Sequence, residues 1–354
     1  SSTPAMAAAA PVVEREFGPS ERGPAPSELQ VWEVVGGAGK GGIFVRVGAE
    51  LTSPEAPARL STGALIREAE TRGNRLRYGL LTGTGPSTGW VNIKNSDKDL
   101  LVKTSKTPEV PAIPPPLPWV DAPVGSRKLR ILGLHGRVTN SNILKFQLAP
   151  LKKELGKDVE WLFLDAPLAW DQPDYPDFAP SDPTDLDKRL AKDTPLLRWF
   201  WIHNGSHDFL QTYAFVEDAV DRLKAFLQEQ APIDVIVSFS QGTVMTCLLL
   251  AALQREGAPV PWRLSVFFCG GWIRDPVHAF LGPCPQPTVQ VSGGKSDPYF
   301  LDGEPSLEPY FSDIVRMEHG DGHYFPTTQP RASEIIKAVA EQIRKRCGLA
   351  EVTK

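Results

Sequence analysis

A serine in a tight turn between a strand and a helix is the residue of this sequence best placed for nucleophilic chemistry. Residues 233–242 read IDVIVSFSQG, a β-type apolar run that leads directly into a helical pattern. Ser240 stands at the centre of Ser238-x-Ser240-x-Gly242, which matches the G-x-S-x-G nucleophile elbow everywhere except at its first position. The elbow needs small residues because strand and helix approach closely there, and the serine at position 238 is small enough. We therefore expect Ser240 to attack an acyl carbon.

A nucleophilic serine needs a base and an orienting acid, which in such sites follow in the order Ser, Asp or Glu, His. The stretch VQVSGGKSDPYF presents Asp297 after a strand and a glycine-rich turn, and MEHGDGHYFP presents His323 shortly before the last helix. His323 is preferred as the base because Gly322 and Pro326 frame a loop tip. The alternative base is His319, and the alternative acids are Asp302 and Asp321.

Backbone donors for the oxyanion of acyl transfer are expected at the end of another strand. The run ILGLHGR at residues 131–137 ends in a His-Gly turn, which can aim the backbone N–H of Arg137 at the oxyanion. The backbone N–H of Gln241, directly after the nucleophile, is the expected second donor. We interpret the side chain of His135 as a structural histidine.

These candidate residues lie at the ends of strands in a segment where strand and helix patterns alternate. Strand patterns are found at 129–134, 159–164, 233–237, 264–268 and 289–292, and helical patterns at 213–230, 241–254 and 331–346. This alternation predicts an α/β fold, a doubly wound and mostly parallel sheet with helices on both faces. We assign residues 126–354 to this domain.

A different pattern precedes it. Short β-type runs at 31–35, 43–47, 75–81 and 89–94, separated by Gly- and Pro-rich turns, predict a small all-β barrel at residues 29–103. The step Gly89-Trp90-Val91, followed by a charged strand, resembles the late strands of SH3-like barrels. We expect a protein- or peptide-contact module, with an inert spacer domain as the alternative.

The glycine-rich stretch at residues 37–42 resembles a nucleotide-binding motif by its letters only. It matches G-x-G-x-x-G, but the β-type run at 43–47 follows it, whereas a dinucleotide fingerprint must open a helix. A P-loop fails as well, because Lys40 is followed by Gly41 instead of Ser or Thr. A hairpin turn is predicted.

The 34 prolines mark the boundaries between these parts. Residues 1–28 hold five, 104–125 hold seven and 171–195 hold five, and proline is unsuited to helix interiors and central strands. The three clusters predict a flexible Ala- and Pro-rich tail at 1–28, a linker at 104–125 and a long surface excursion. The tail is also typical of what remains after an organelle-targeting segment is cleaved.

Composition excludes several classes of protein. The chain of 354 residues is 41% hydrophobic and 23% charged, which is ordinary for a globular protein, and its net charge of -4 gives no basic field for nucleic acid. Its longest nearly apolar run, 244–253, is too short to span a bilayer.

The cysteine and histidine patterns do not favour a metal site. The four cysteines form no C-x-x-C pair and no zinc spacing. Cys247 and Cys269 lie in apolar runs typical of core residues, which favours a reducing compartment, either the cytoplasm or an organelle such as a plastid or mitochondrion. His203, His207 and Asp208 hint at a metal site, but Asn204 and Gly205 disfavour the helix that would align them. No metal or cofactor is expected.

Six stretches in this order resemble one known family. LGLHGRVTNSNILKFQ, FLDAPL, RWFW, IVSFSQGT, GGKSDP and EHGDGHYFP are similar to the FSH family of serine hydrolases, eukaryotic α/β-hydrolases related to the ovarian-tumour-gene-2 product. The resemblance covers residues 127–347 and implies that Ser240, Asp297 and His323 form a catalytic triad acting on carboxylic esters or thioesters. Ser238 and Arg137 depart from the family pattern, and Arg137 could narrow or charge the entrance.

The resemblance also implies a role for the excursion at 165–195, which holds eight aspartates. It precedes the segment where the family carries substrate-shaping residues, so we expect a lid at 165–195 and a substrate pocket walled by Trp199, Phe200 and Trp201. The alternative is a solvated acidic loop over ordinary core aromatics.

The resulting hypothesis is a serine carboxylesterase or thioesterase with an appended β-module, acting on a small acyl substrate. The alternative is a scaffold or interaction protein with little or no activity, working in a larger assembly. The added module, the proline-rich tail and the altered elbow favour that alternative, whereas the complete Ser, Asp and His set favours the enzyme.

Overall fold

The computed structural model describes residues 29–108, 117, 120, 124, 127–170, 183–203, 211–270, 273–297, 307 and 310–349. The predicted tail, most of the predicted linker and residues 171–182 of the predicted lid lie outside the described residues.

Residues 31–104 form an antiparallel sheet with its own apolar core. The strands are β1 (Val31–Val34), β2 (Leu65–Arg72), β3 (Arg75–Thr82), β4 (Thr88–Asn92), β5 (Lys94–Asn95), β6 (Lys98–Asp99) and β7 (Leu101–Thr104). Five of them pair in the order β4-β3-β2-β1-β7, and β5 pairs with β6. This architecture agrees with a small β domain, while its likeness to an SH3 barrel stays a prediction.

Two details of this sheet differ from the sequence analysis. Residues 43–47 form only isolated antiparallel bridges, in which Arg46 pairs with both Glu55 and Trp90. Strand β2 was not predicted, because most residues of its sequence LIREAETR are charged or polar; its only large apolar residues are the first two, and these are buried.

The glycine-rich stretch at residues 37–42 is a turn, in which Gly37, Gly39, Gly41 and Gly42 have positive φ.

Strands and helices alternate in the second part, as predicted. In chain order the elements are β8 (Leu129–Leu134), α1 (Ser141–Gln147), α2 (Ala149–Leu155), β9 (Val159–Leu164), β10 (Leu168–Ala169), α3 (Asp185–Ala191), β11 (Leu197–Arg198), β12 (Trp201–His203), β13 (Thr212–Ala214), α4 (Val216–Glu229), β14 (Val235–Phe239), α5 (Gln241–Glu256), β15 (Leu264–Phe268), β16 (Thr288–Ser292), β17 (Ile314–Glu318) and α6 (Arg331–Cys347). The predicted helix at 213–230 begins only at Val216, because β13 and the left-handed residue Phe215 precede it.

The central sheet has six parallel strands in the order β17-β16-β15-β14-β8-β9. Neighbouring residues of a strand point to opposite faces, so Ile236 and Val237 of β14 belong to two different cores. Helices α4 and α5 cover one face and α6 covers the other. The carboxyl ends of the strands therefore meet along one edge, where ligand sites of such sheets form.

Candidate active site

Ser240 lies in the turn between β14 and α5 with a backbone conformation that non-glycine residues rarely adopt. Its φ is 52° and its ψ is -120°, as expected of a nucleophile at a sharp elbow. Its N–H donates to Phe268 O at 3.0 Å, which fixes the turn against β15. At Gly242 a Cβ would lie 2.5 Å from Leu134 O, so only glycine permits this approach of α5 to β8. Ser238, which stands where the G-x-S-x-G motif has its first glycine, does not have a positive φ, so a serine fits this position of the elbow.

The three residues expected to form a triad are joined by hydrogen bonds. His323 Nε2 lies 2.8 Å from Ser240 Oγ, and His323 Nδ1 lies 3.0 Å from each carboxylate oxygen of Asp297. Asp297 is buried and His323 is partly exposed. With Nδ1–H donating to the carboxylate, Nε2 is left as an acceptor for the Ser240 hydroxyl. This is the arrangement that a general base requires.

Two loops bring the acid and the base together. Asp297 follows β16 through a tight turn, and its N–H donates to Gly294 O at 2.9 Å. The loop of His323 is joined to it, because Gly322 N–H donates to Gly293 O at 3.1 Å. A Cβ on Gly293 would lie 2.0 Å from Gly322 O, so the two backbones pack without room for a side chain.

The described alternatives to these residues have other partners. His319 Nδ1 accepts the N–H of Asp321 at 3.0 Å, and its Nε2 faces Cys269 Sγ at 3.5 Å. Asp321 accepts the backbone N–H groups of Thr328 and Thr327, which lower the pKa of its carboxyl to about 2. Both residues thus shape the loop of His323. Asp302 lies outside the described residues.

The expected oxyanion donors border the nucleophile. At Gly136 a Cβ would lie 3.2 Å from Ser240 Cβ, and the next residue, Arg137, follows in the same turn. Gln241 is the first residue of α5, so its N–H has no acceptor within the helix and is available to a ligand.

The side chain of His135 is a neutral, structural imidazole. It is fully buried, and burial lowers its pKa to about 4. Its Nε2 accepts the Ala166 N–H at 3.0 Å, so the ring proton is on Nδ1, which donates to Gly136 O at 2.7 Å. The imidazole therefore secures the turn that contains Arg137.

Of the three residues predicted to wall a substrate pocket, two are core residues. Trp199 and Phe200 have no exposed surface, because they pack in the core beside α4 and α5. Trp201 is half-buried, and Arg198 lies 3.6 Å over its ring. The burial of Trp199 and Phe200 favours the alternative of ordinary core aromatics at these two positions.

Sequence reasoning missed what these two residues do instead. The Trp199 N–H donates to Gln241 Oε1 at 2.9 Å, and Gln241 Nε2 donates to Phe200 O at 2.9 Å. The Trp199 indole also donates to His135 O at 2.7 Å. The Gln241 side chain and Trp199 thus connect the elbow to the turn after β8, and so hold both expected oxyanion donors. The polar letter Gln241 within an apolar helix was the available signal.

Two further observations concern other classes of protein. In the described part of the chain no three His, Cys, Asp or Glu side chains cluster as metal ligands would, and His207 and Asp208 lie outside it. Among the helices that the structure describes, none has both the length and the apolar character needed to cross a membrane.

The parallel sheet, the elbow of Ser240 and the hydrogen-bonded Asp297 and His323 define an α/β-hydrolase with a serine hydrolase site. A comparison with family models agrees: the model described as "Serine hydrolase (FSH1)" matches residues 125–335, more than half of the chain. The chain belongs to this serine hydrolase family.

Two curated relatives that the chain resembles are named esterases. An esterase, FUS5, of Gibberella fujikuroi is 28% identical over 60% of this chain and 85% of its own length. Esterase OVCA2 of Xenopus tropicalis is 25% identical over 58% of this chain and 89% of its own. Among solved structures, acyl-protein thioesterase 2 of Zea mays is 20% identical, with a TM-score of 0.40 over 63% of this chain and 96% of that one.

Proposed function

We propose that the protein hydrolyses a carboxylic ester or thioester through an acyl-enzyme formed on Ser240. The observation that carries this proposal is the continuous contact from Ser240 Oγ through both nitrogens of His323 to the carboxylate of Asp297. Relatives named esterases support the same reaction class.

The first half of the reaction forms the acyl-enzyme. His323 Nε2 takes the Ser240 proton while Oγ attacks the carbonyl carbon, and the carbonyl electron pair moves to oxygen. The N–H groups of Gln241 and Arg137 stabilise this oxyanion, and each such donor lowers the barrier by about 3 kcal/mol. When the oxyanion collapses, His323 returns the proton to the leaving alcohol or thiol.

The second half releases the acid. His323 takes a proton from water as the water oxygen attacks the acyl carbon. The second tetrahedral intermediate then collapses: the bond between the acyl carbon and Ser240 Oγ breaks, His323 returns the proton to Oγ, and the acid leaves. Asp297 keeps the Nδ1 proton in place throughout and stabilises the imidazolium that forms twice per cycle.

Labelling with a fluorophosphonate probe tests the proposal, because such probes react with an activated serine. We expect the wild-type protein to be labelled and Ser240→Ala to remain unlabelled. Ser238→Ala is the matched control, since Ser238 lies two residues away, near the end of β14, and its hydroxyl contacts Thr243 Oγ1 at 3.4 Å. If the folded wild-type protein is not labelled and hydrolyses no ester or thioester, the enzyme hypothesis is refuted, and the alternative of a scaffold or interaction protein is favoured.

We also propose roles for the remaining predicted parts. The segment at 165–195 acts as a lid; β10 and β11 pair at its base, and Asn140 Nδ2 donates to the carbonyls of Thr194 and Ala191 near its end. Residues 29–103 form a domain that contacts a protein or peptide. Removal of residues 171–182 should alter the preference for acyl length, which hydrolysis of an ester series would measure.

A further inference from the structure

The antiparallel sheet packs against one segment of the hydrolase, residues 273–280, which we call the docking segment. Arg67 of β2 is buried and donates to the carbonyls of Pro276 at 3.4 Å and Phe280 at 3.1 Å. On β3, a Cβ on Gly79 would lie 2.7 Å from Val277 Cα, so the two backbones are in direct contact. The docking segment follows β15, whose neighbour β14 carries the nucleophile.

A buried ion pair crosses this contact. Arg77 Nη2 donates to the two carboxylate oxygens of Asp275 at 3.0 and 3.3 Å, and Arg77 Nη1 donates to Thr212 Oγ1 at 3.0 Å. Asp275 is fully buried, and its other donors are the N–H groups of Tyr213 at 2.7 Å and Val277 at 3.1 Å. Arg77 therefore holds β13 in place in two ways, directly at Thr212 and through the carboxylate that anchors Tyr213.

Strand β13 in turn contacts the residues beside the nucleophile. The Tyr213 ring lies 4.6 Å from the Phe200 ring, and Phe200 O accepts the hydrogen bond from the Gln241 side chain. Tyr213 Oη accepts the N–H of Arg274, so the docking segment and β13 are joined a second time. A continuous set of contacts thus runs from Arg77 to the residue that bears an oxyanion donor.

We infer that the antiparallel sheet is part of the catalytic apparatus and that Arg77 is a positioning residue for the oxyanion site. This inference rests on the proposed function of Ser240. Loss of the Arg77 guanidinium leaves the buried Asp275 without its cation, which loosens β13 and the support of the Gln241 side chain. Because the oxyanion donors act in the transition state, the effect falls on kcat more than on KM.

Arg77→Met in the full chain tests the inference, with Arg75→Met as the matched control. Arg75 lies on the same strand, but its hydrogen bonds stay within the antiparallel part, to Ala49, Gly48, Trp90 and Asn92. With an acetyl ester of p-nitrophenol we expect Arg77→Met to lower kcat about tenfold with little change in KM. This loss is smaller than the roughly 100- to 1000-fold loss in kcat that follows complete removal of an oxyanion donor. Arg77→Lys, which keeps the charge, should recover part of the rate.

Hydrogen exchange gives a second readout that needs no substrate. Amides of residues 211–216 should exchange on the order of a hundredfold faster in Arg77→Met, while those of the central strand β14 keep their protection. An unchanged kcat in Arg77→Met would overturn the inference, and so would an equal loss in Arg75→Met, which would point to general destabilisation. If the fluorophosphonate probe does not label the wild-type protein, the proposed function is refuted, and the role of Arg77 in positioning the oxyanion site is refuted with it. Hydrogen exchange then still tests separately whether Arg77 holds β13 in place.

Discussion

Replacement of Gln241 by methionine removes a side chain that makes two hydrogen bonds next to the nucleophile. Methionine keeps the length of the side chain but can replace neither the acceptor for Trp199 N–H at 2.9 Å nor the donor to Phe200 O at 2.9 Å. Each buried polar group left without a partner costs about 1–3 kcal/mol, so for two such groups we expect the free energy of unfolding to fall by about 2–6 kcal/mol. The backbone N–H of residue 241 remains, but its position is less well fixed.

The same substitution should slow the reaction. Complete removal of an oxyanion donor costs about 100- to 1000-fold in kcat, so a donor that is only displaced should cost about ten- to a hundredfold. Urea unfolding and steady-state hydrolysis of a p-nitrophenyl ester measure the two effects separately.

Helix α5 supplies a matched control at its other end. Gln254 bridges two backbone groups in the same manner, with Leu281 N–H donating to its Oε1 at 2.9 Å and its Nε2 donating to Gly282 O at 3.0 Å. Gln254→Met should therefore also lower stability, by a smaller amount because its partners are only partly buried, and leave kcat unchanged. If both variants lower kcat equally, or if Gln241→Met lowers neither quantity, the positioning role of Gln241 is wrong.

Three further predictions concern the triad, the elbow and the turn after β8. Asp297→Asn should lower kcat about 10⁴-fold without unfolding the protein, because the amide favours the wrong tautomer of His323. Steady-state kinetics would measure kcat and circular dichroism would check folding. A loss of kcat below tenfold would argue against the triad. Gly242→Ala places a Cβ 2.5 Å from Leu134 O, so we expect the free energy of unfolding to fall by about 1–3 kcal/mol and the rate of ester hydrolysis to fall as well. Urea unfolding and ester hydrolysis measure the two effects, and an unaffected variant would show that the elbow tolerates a side chain. Burial lowers the pKa of His135 to about 4 from 6.5, so the neutral imidazole's contribution to the free energy of unfolding is complete above pH 6.5 and about 3 kcal/mol of it is lost as the pH falls towards 4. Urea titrations at several pH values should show that His135→Asn removes this part of the pH dependence. An identical pH profile in the variant would contradict the assignment of a buried, neutral His135.

The triad could be predicted from the sequence because two of its residues follow strands that the pattern reveals. Ser240 comes directly after the apolar run of β14, and Asp297 comes after β16 and a turn of glycines. In a parallel sheet the carboxyl ends of strands lie at one edge, so residues far apart in the chain meet there. The order Ser, Asp, His along the chain, together with the loop between Gly322 and Pro326, then favoured His323 as the base, although strand β17 before it was not predicted.

What the sequence did not reveal depends on packing between distant residues. Aromatic letters such as Trp199 and Phe200 fit a pocket wall and a core equally well, and only their complete burial separates the two. The pairing of Arg77 with Asp275, which are 198 residues apart, leaves no local pattern. Residues 43–47 show the opposite error, because a β-type composition at a sheet margin gave only isolated bridges.

The close contact between Gly79 and Val277 also bears on solubility. The family match at 125–335 lies outside the antiparallel sheet, yet Val277 of the docking segment is buried in the full chain and contacts that sheet at Gly79. A catalytic fragment that begins after residue 125 would lack Gly79 and Arg77, so Val277 and the carboxylate of Asp275 would lose these contacts, and newly exposed apolar surface promotes self-association. We therefore expect the fragment without the sheet to self-associate more than the full chain.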